Sequence, residues 1–165
     1  MTAAGHGGKW LVALALFWSV LAVVLALPAR TSAQTTERIV IDPRTGLAIN
    51  GFDAVGYFTD AQPMLGRSDL EYPFAGAVWR FRNEGNRAAF AGKPEIYMPQ
   101  FGGYDPIAVA RGLATPGHPM LWVIAGKRLY LFHDTESRDR FIAEEQQAIE
   151  AASAKWPTVM HELAN

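Results

Sequence analysis

Cysteine is missing from this 165-residue sequence. Its absence excludes disulfide bonds, thiolate metal sites, iron–sulfur clusters and cysteine nucleophiles. A folded domain must therefore be held together by packing alone. Nine Phe, five Tyr and five Trp residues provide apolar surface for such a core, because a buried aromatic side chain removes a large area from water.

A strong charge of either sign is also missing. The chain has 15 Lys and Arg residues against 16 Asp and Glu residues, which gives a formal net charge of −1. Residues 1–33 contain two of the basic residues, Lys9 and Arg30, and no acidic residue, so the rest of the chain carries a formal charge of −3. So small an imbalance argues against a nucleic-acid partner or an anionic membrane surface.

Catalytic motifs are scarce as well. No Gly-x-Ser-x-Gly elbow surrounds Ser68, Ser137 or Ser153, which lie in ordinary loop or helix settings. The Gly102-Gly103 pair is not followed by the Lys-Ser/Thr of a phosphate-binding loop. No residue pattern indicates a redox cofactor. We therefore expect a protein that is not an enzyme.

Residues 1–33 have the three parts of a secretory signal peptide. A short polar lead with Lys9 precedes an apolar run at residues 10–27, and small residues follow before a predicted cleavage site at Gln34. The alternative is an uncleaved membrane anchor, because the apolar run approaches the roughly 20 residues that span a bilayer. Both interpretations predict a periplasmic or otherwise extracytoplasmic domain.

The rest of the chain predicts one small α+β domain. A leader of residues 34–47 precedes a domain of residues 48–158 and a tail of residues 159–165, and this length suffices for one core but not for two. Caps and turns indicate the elements. They are a short helix capped by Asp53, a hairpin turning at Ala75-Gly76, a helix from Asn83 to about Ala91 with Ala88, Ala89 and Phe90 on its buried side, a short helix from Ile107 to Arg111, a hairpin turning at residues 125–127, and a helix from Thr135 to about Ala154 that ends before Trp156-Pro157.

The order of hairpin, capping residue and helix occurs twice. Under an ungapped offset of 51 residues, five chemically similar pairs align, which favours two hairpin-plus-helix units packed on an aromatic core. The alternative is that any junction of strand, cap and helix selects such residues. The pairs are Trp79 with Tyr130, Phe81 with Phe132, Asn83 with Asp134, Arg87 with Arg138, and Phe90 with Phe141.

Six motifs occur in order along the predicted domain. Together they resemble the exported bacterial YHS-domain proteins, over nearly all of the chain after the signal segment. The resemblance implies a small domain related to the treble-clef metal-binding group, with a metal-linked role. The motifs are residues 50–55, residues 79–81 leading to residues 86–90, residues 94–97, residues 100–104, residues 126–131, and residues 155–157.

The central loop holds the candidate site. Exported members of this family generally have Cys after Gly-Gly-Tyr, where this chain has Asp105, and a hard carboxylate weakens any preference for copper(I) or zinc. Candidate metal ligands, for an ion such as copper, are His118, Met120 and Asp105, because copper in an oxidising compartment accepts His and Met. The candidate ligand-binding residues are Gly102, Gly103, Tyr104, Asp105 and His118.

Each candidate has a structural alternative. His118 is then an ordinary loop histidine, Met120 fills the core, and His133 is an exposed histidine at a strand end. Arg87 and Arg138 face either an anionic ligand or, more commonly for such positions, an acidic neighbour on the same helix. The acidic neighbours are Glu84, Asp134 and Asp139.

We therefore expect an exported small binding or accessory module of YHS type, linked to a metal ion or a small ligand. The alternative is a non-catalytic structural or interaction subunit of an envelope complex, with the glycine-rich loop as its contact surface. The expected partner is an unidentified ligand or an envelope protein. Contact with the membrane is expected only through residues 10–27, if they are not cleaved.

Overall fold

The structure is a computed structural model that describes residues 39–164. The predicted signal segment or anchor of residues 1–33, with its cleavage site, lies outside the described residues. So does the first part of the predicted leader. Within residues 39–164, no helix is long and apolar enough to cross a membrane.

The first repeat, residues 47–97, contains an antiparallel hairpin with helices before and after it. The hairpin turns at Ala75-Gly76, where both residues have positive φ (52° and 77°), as tight hairpin turns require. Asn83 then caps the following helix by accepting a hydrogen bond from the Asn86 N–H at 2.8 Å. The elements are a 3-10 turn at Ile49–Gly51, α1 (Gly56–Thr59), β1 (Arg67–Phe74), β2 (Ala77–Phe81), α2 (Glu84–Gly92) and α3 (Pro94–Tyr97).

The second repeat, residues 99–163, has the same order of elements. Its hairpin turns at Gly126-Lys127, again with positive φ at both residues (54° and 62°), and Asp134 caps the next helix by accepting from the Ser137 N–H at 2.8 Å. The elements are a 3-10 turn at Gln100–Gly103, α4 (Pro106–Val109), β3 (His118–Ala125), β4 (Arg128–Phe132), α5 (Thr135–Ala143) and α6 (Glu145–Leu163). The predicted fold class, a small single α+β domain built from two hairpin-plus-helix units, is confirmed.

The first strand of each hairpin shifts register at the same place. The shift lies between Arg67 and Glu71 in β1 and between His118 and Trp122 in β3. A glycine precedes each shifted strand and contacts the opposite strand closely. A Cβ atom at Gly117 would lie 2.6 Å from the Leu131 Cβ and 2.8 Å from the Gly103 carbonyl oxygen, so only glycine fits this crossing.

After each hairpin, a phenylalanine of the following helix packs on two aromatic rings of the second hairpin strand. In both repeats these three rings are almost fully buried. The pairs that the offset of 51 residues aligned are therefore equivalent in the structure as well. The ring-centroid distances are 4.8 Å for both Trp79–Phe90 and Tyr130–Phe141, and 5.1 Å for both Phe81–Phe90 and Phe132–Phe141.

The final helix differs from the prediction in two ways. It is broken at Glu144, whose φ and ψ are −126° and 35°, and it continues through Pro157 to Leu163. A proline inside a helix costs about 3 kcal/mol, but the Trp156 ring packs 5.8 Å from the Phe101 ring and Val159 is almost fully buried. These tertiary contacts offset the local cost, so residues 159–163 are helix rather than a frayed tail.

The buried side of α2 was predicted wrongly at one residue. Phe90 is fully buried and Ala89 is half-buried, but Ala88 is exposed. Two residues along a helix differ in direction by about 200°, so Ala88 points away from the side that Phe90 buries.

Candidate functional site

Asp105, a predicted ligand residue, is fully buried and holds the central loop together. Its Oδ1 accepts hydrogen bonds from the backbone N–H groups of Ile107 at 2.8 Å and Ala108 at 3.3 Å, so it caps α4. Its Oδ2 accepts from the backbone N–H of His133, at the end of β4, at 2.9 Å. Asp105 therefore ties the start of a helix to the end of a strand.

Asp53 has the same role in the first repeat. It is fully buried, its Oδ1 accepts from the Val55 N–H at 2.9 Å, and its Oδ2 accepts from the Arg82 N–H at 2.9 Å. The Asn86 side-chain amide adds a further hydrogen bond to Oδ2 at 2.7 Å. Oδ1 also accepts from the N–H of Gly56, the first residue of α1, at 3.3 Å, so the predicted cap at Asp53 is confirmed. The duplication therefore extends to the loops before both hairpins.

The glycine-rich loop is packed inside the domain. Gly102 and Gly103 are buried and Tyr104 is half-buried. The Gly103 carbonyl oxygen accepts a hydrogen bond from the Gly117 N–H at 2.9 Å, which brings the loop beside the residue that precedes His118. The Tyr104 ring lies 6.0 Å from the Trp156 ring. This loop therefore contacts both the start of the β3–β4 hairpin and α6.

The candidate metal ligands do not share an environment. The Asp105 carboxylate is buried and its oxygens accept three backbone hydrogen bonds. His118 and Met120 are both exposed, and the His118 Nδ1 accepts the Met120 N–H at 3.1 Å. Within the described part of the chain, no group of three or more His, Cys, Asp or Glu residues is arranged to hold a metal ion. These residues do not fit a copper or zinc site.

Two arginines considered for an anionic ligand have acidic neighbours. Arg87 forms an ion pair with Glu84 at 2.6 Å, and Arg138 forms one with Asp139 at 3.0 Å. Both pairs lie on exposed helix faces, which is the alternative that the sequence favoured.

A concave surface of the second repeat lies along α4, where this helix packs against α5 and α6. Three cavities of about 200, 160 and 130 Å³ line it, and all three share Ile107 and Arg111. We call this surface the Arg111 groove. Its wall also includes Arg140 on α5, Ala148 on α6, and His133 at the end of β4.

The break between α5 and α6 shapes one end of this groove. Phe141 points into the aromatic core, whereas Ala148 and Ala152 are buried against the rest of the domain. Because Glu144 leaves the helical conformation, the two helices meet the core in different directions. The largest cavity lies at this break, lined by residues of both helices.

Most charged groups of the groove are already partnered, but Arg111 is not. Arg140 Nε lies 3.5 Å from Glu144 Oε2, and Asp134 caps α5. The Ser137 N–H stabilises the charged form of that carboxylate and holds the pKa of Asp134 below its ordinary value. The exposed Arg111 side chain forms no hydrogen bond or ion pair with any residue in the range 39–164. As far as residues 39–164 are concerned, the Arg111 guanidinium is therefore open to a ligand.

Sequence reasoning did not identify Arg111 or Arg140 as site residues. No motif marks them, because the groove forms only when α4 packs against the broken final helix. The role of Asp105 did have a sequence signal. Asp followed by Pro106 is a favourable start for a helix, since Asp accepts from the first N–H groups and Pro lacks one.

Comparison with known protein families, with curated proteins and with solved structures finds no match to this chain. A fold of this kind does not by itself determine a function. The function is therefore argued from the groove and its residues.

Proposed function

We propose that this chain is an exported, non-catalytic binding module of YHS type that holds a small ligand in the Arg111 groove. One observation carries the proposal. Arg111 lines all three cavities of the groove, and its guanidinium has no partner among residues 39–164. A guanidinium presents five N–H donors in a fixed plane, which suits it to ligand recognition.

The groove is supported by anchored elements. Asp105 fixes the start of α4 through buried hydrogen bonds, and Asp134 caps α5. Ala148 and Ala152 pack α6 onto the core. A site held in this way loses little conformational freedom when a ligand binds, which favours affinity.

Binding fits these groups better than catalysis does. Asp105 and Asp134 act as helix caps, and Glu144 is paired with Arg140. A general acid or base must reach the substrate with its own proton or lone pair, and these carboxylates are committed to backbone N–H groups or to an arginine. Glu136 lines one of the three cavities, whereas Arg111, a permanently charged donor, lines all of them.

The test is a nuclear magnetic resonance titration of the purified full chain with three small probes of similar shape: propionate, propionamide and propylamine. We expect propionate or propionamide to cause saturable amide shifts that centre on Ile107, Arg111 and Ala148, and we expect none from propylamine, a cation that Arg111 repels. The Arg111→Gln variant should alter these shifts, and Arg87→Gln, which removes an arginine of the first repeat, should not. Shifts absent from the groove for all three probes would refute the proposal.

A further inference from the structure

The two repeats allow an internal comparison at the end of the helix that precedes each hairpin. Ala61 and Gly112 both have positive φ, 51° and 81°, and each marks the point where the chain leaves its helical turn. Asp60 and Arg111 come immediately before them. These two residues therefore occupy equivalent positions and carry opposite charges.

Two further pairs are equivalent beside them. The backbone N–H groups of Arg82 and His133 donate to Oδ2 of the two buried aspartates, both at 2.9 Å. The backbone oxygens of Met64 and Thr115 accept from the N–H groups of the same two aspartates, at 2.8 and 2.9 Å. Each repeat thus presents one helix-end, one loop and one strand-end side chain around its buried aspartate.

In the first repeat the strand-end arginine contacts both of the other side chains. The Arg82 Nη1 lies 2.7 Å from the Met64 sulfur and 3.8 Å from the Asp60 Oδ2. The long arginine side chain therefore reaches between its neighbours, and its charge has a carboxylate partner.

In the second repeat the equivalent residues, Arg111, Thr115 and His133, line a cavity of about 160 Å³. Thr is shorter than Met, and the imidazole of His133 is turned to within 3.2 Å of the Pro116 carbonyl oxygen. The guanidinium is now at the helix end, at Arg111, and the strand-end residue is His133 rather than a carboxylate. Asp134 lines the same cavity but forms no ion pair with Arg111, so the guanidinium lacks the partner that Asp60 gives to Arg82.

We infer that the ligand of the groove is a small organic carboxylate, bound by Arg111 in the cavity that it shares with Thr115 and His133. This inference rests on the proposed function of the Arg111 groove. Arg and carboxylate groups form two parallel hydrogen bonds in a bidentate pair. The apolar body of the ligand lies against Ile107 and Leu113, which line the same cavity.

The size and charge of the cavity narrow the ligand class. Sites for drug-sized ligands have volumes of about 300–1,000 Å³, so a cavity of about 160 Å³ suits a smaller ligand. Asp134 also lines this cavity and its negative charge disfavours a multiply charged anion. A single carboxylate neutralises Arg111 without adding excess negative charge.

The experiment compares propionate with propionamide, its neutral isostere, by titration of the full chain. We expect propionate to bind in the cavity and propionamide to bind far more weakly. Arg111→Gln should raise the dissociation constant for propionate about tenfold or more, because a hydrogen bond to a charged group contributes about 1.5–3 kcal/mol. Arg111→Lys should retain part of the affinity, and Arg87→Gln should retain all of it. Thermal unfolding checks that each variant is folded.

Two outcomes would overturn the inference. One is an equal dissociation constant for propionate and propionamide at this cavity, and the other is unchanged propionate binding in the folded Arg111→Gln variant. If propionamide binds best in the groove, the proposed function stands and the carboxylate is wrong. If the cation propylammonium binds best, Arg111 is not the binding group and the proposed function fails with the inference. If no probe binds in the groove, the proposed function itself fails.

Discussion

The Tyr57 hydroxyl donates a hydrogen bond to the Pro119 carbonyl oxygen at 3.0 Å and so connects the first repeat to the second. The Tyr57 ring also contacts the Trp122 ring edge to face, at a centroid distance of 5.4 Å. Tyr57 is almost fully buried. Burial, with a smaller contribution from the charge of Asp53, raises the pKa of Tyr57 well above its ordinary value of 10.0.

Tyr57→Phe is expected to change how stability depends on alkaline pH. In the unfolded chain Tyr57 loses its proton near its ordinary value of 10.0, whereas the folded protein keeps it protonated. The free energy of unfolding therefore falls as the pH rises above that value. At neutral pH the variant should be about 1–2 kcal/mol less stable than the parent, because the hydrogen bond to Pro119 is removed. As the pH rises above 10.0, its unfolding free energy should fall less than that of the parent.

Urea unfolding of both proteins measures this difference. The measurements run from about pH 8 to about pH 11, because this range brackets the ordinary tyrosine pKa. An identical decrease in the unfolding free energy of both proteins over this range would show that Tyr57 does not contribute to the alkaline loss.

Asp105→Ala is expected to destabilise the protein by about 2–4 kcal/mol, because it removes a buried helix cap and leaves the partly buried N–H of His133 without its acceptor. Asp134→Ala is the matched control, since it removes an exposed cap of one N–H group. Its cost should be about 1 kcal/mol. Chemical denaturation measures both. Equal losses would mean that the hydrogen bond between Asp105 and His133 adds nothing to the cap.

Gly117→Ala is expected to be strongly destabilising. The new Cβ would lie 2.6 Å from the Leu131 Cβ and 2.8 Å from a backbone oxygen, so strands β3 and β4 would have to separate locally. Gly92→Ala is the control, because nothing lies within 4 Å of a Cβ at that helix end. The control should be neutral or stabilise the protein by up to about 1 kcal/mol. A Gly117→Ala protein with the parental melting temperature would contradict the close crossing.

Most of the fold follows from local sequence signals. Asn83 and Asp134 are good capping residues directly after aromatic strands, and the turns at Ala75-Gly76 and Gly126-Lys127 separate the strands that pair. The match between Phe90 and Phe141 was visible in the sequence because aromatic core positions recur at a constant spacing.

Non-local packing explains what the sequence did not reveal. Pro157 is a strong local signal against a helix, and only the contacts of Trp156 and Val159 with the rest of the domain explain why the helix continues. The Arg111 groove has the same origin. Arg111 lies just after the four-residue helix α4, in a segment that has no motif, and its cavities exist because α5 and α6 pack beside that helix.

Two signals at Asp105 indicate different roles. Its position after Gly-Gly-Tyr, in the family resemblance, predicts a ligand-binding residue, whereas the Pro106 that follows it indicates a helix cap. The buried carboxylate and its three backbone hydrogen bonds give it the second role. The charged group available to a ligand is six residues further along the chain, at Arg111.

We propose that the second repeat leaves open, for a small carboxylate, a space that the first repeat fills with its own side chains. The most direct test is propionate titration of a triple variant, Arg111→Asp with Thr115→Met and His133→Arg, which gives the second repeat the three side chains of the first. We predict a folded protein whose melting temperature is equal to or above that of the parent and which no longer binds propionate in the groove. Propionate binding with the parental dissociation constant in this variant would contradict the claim.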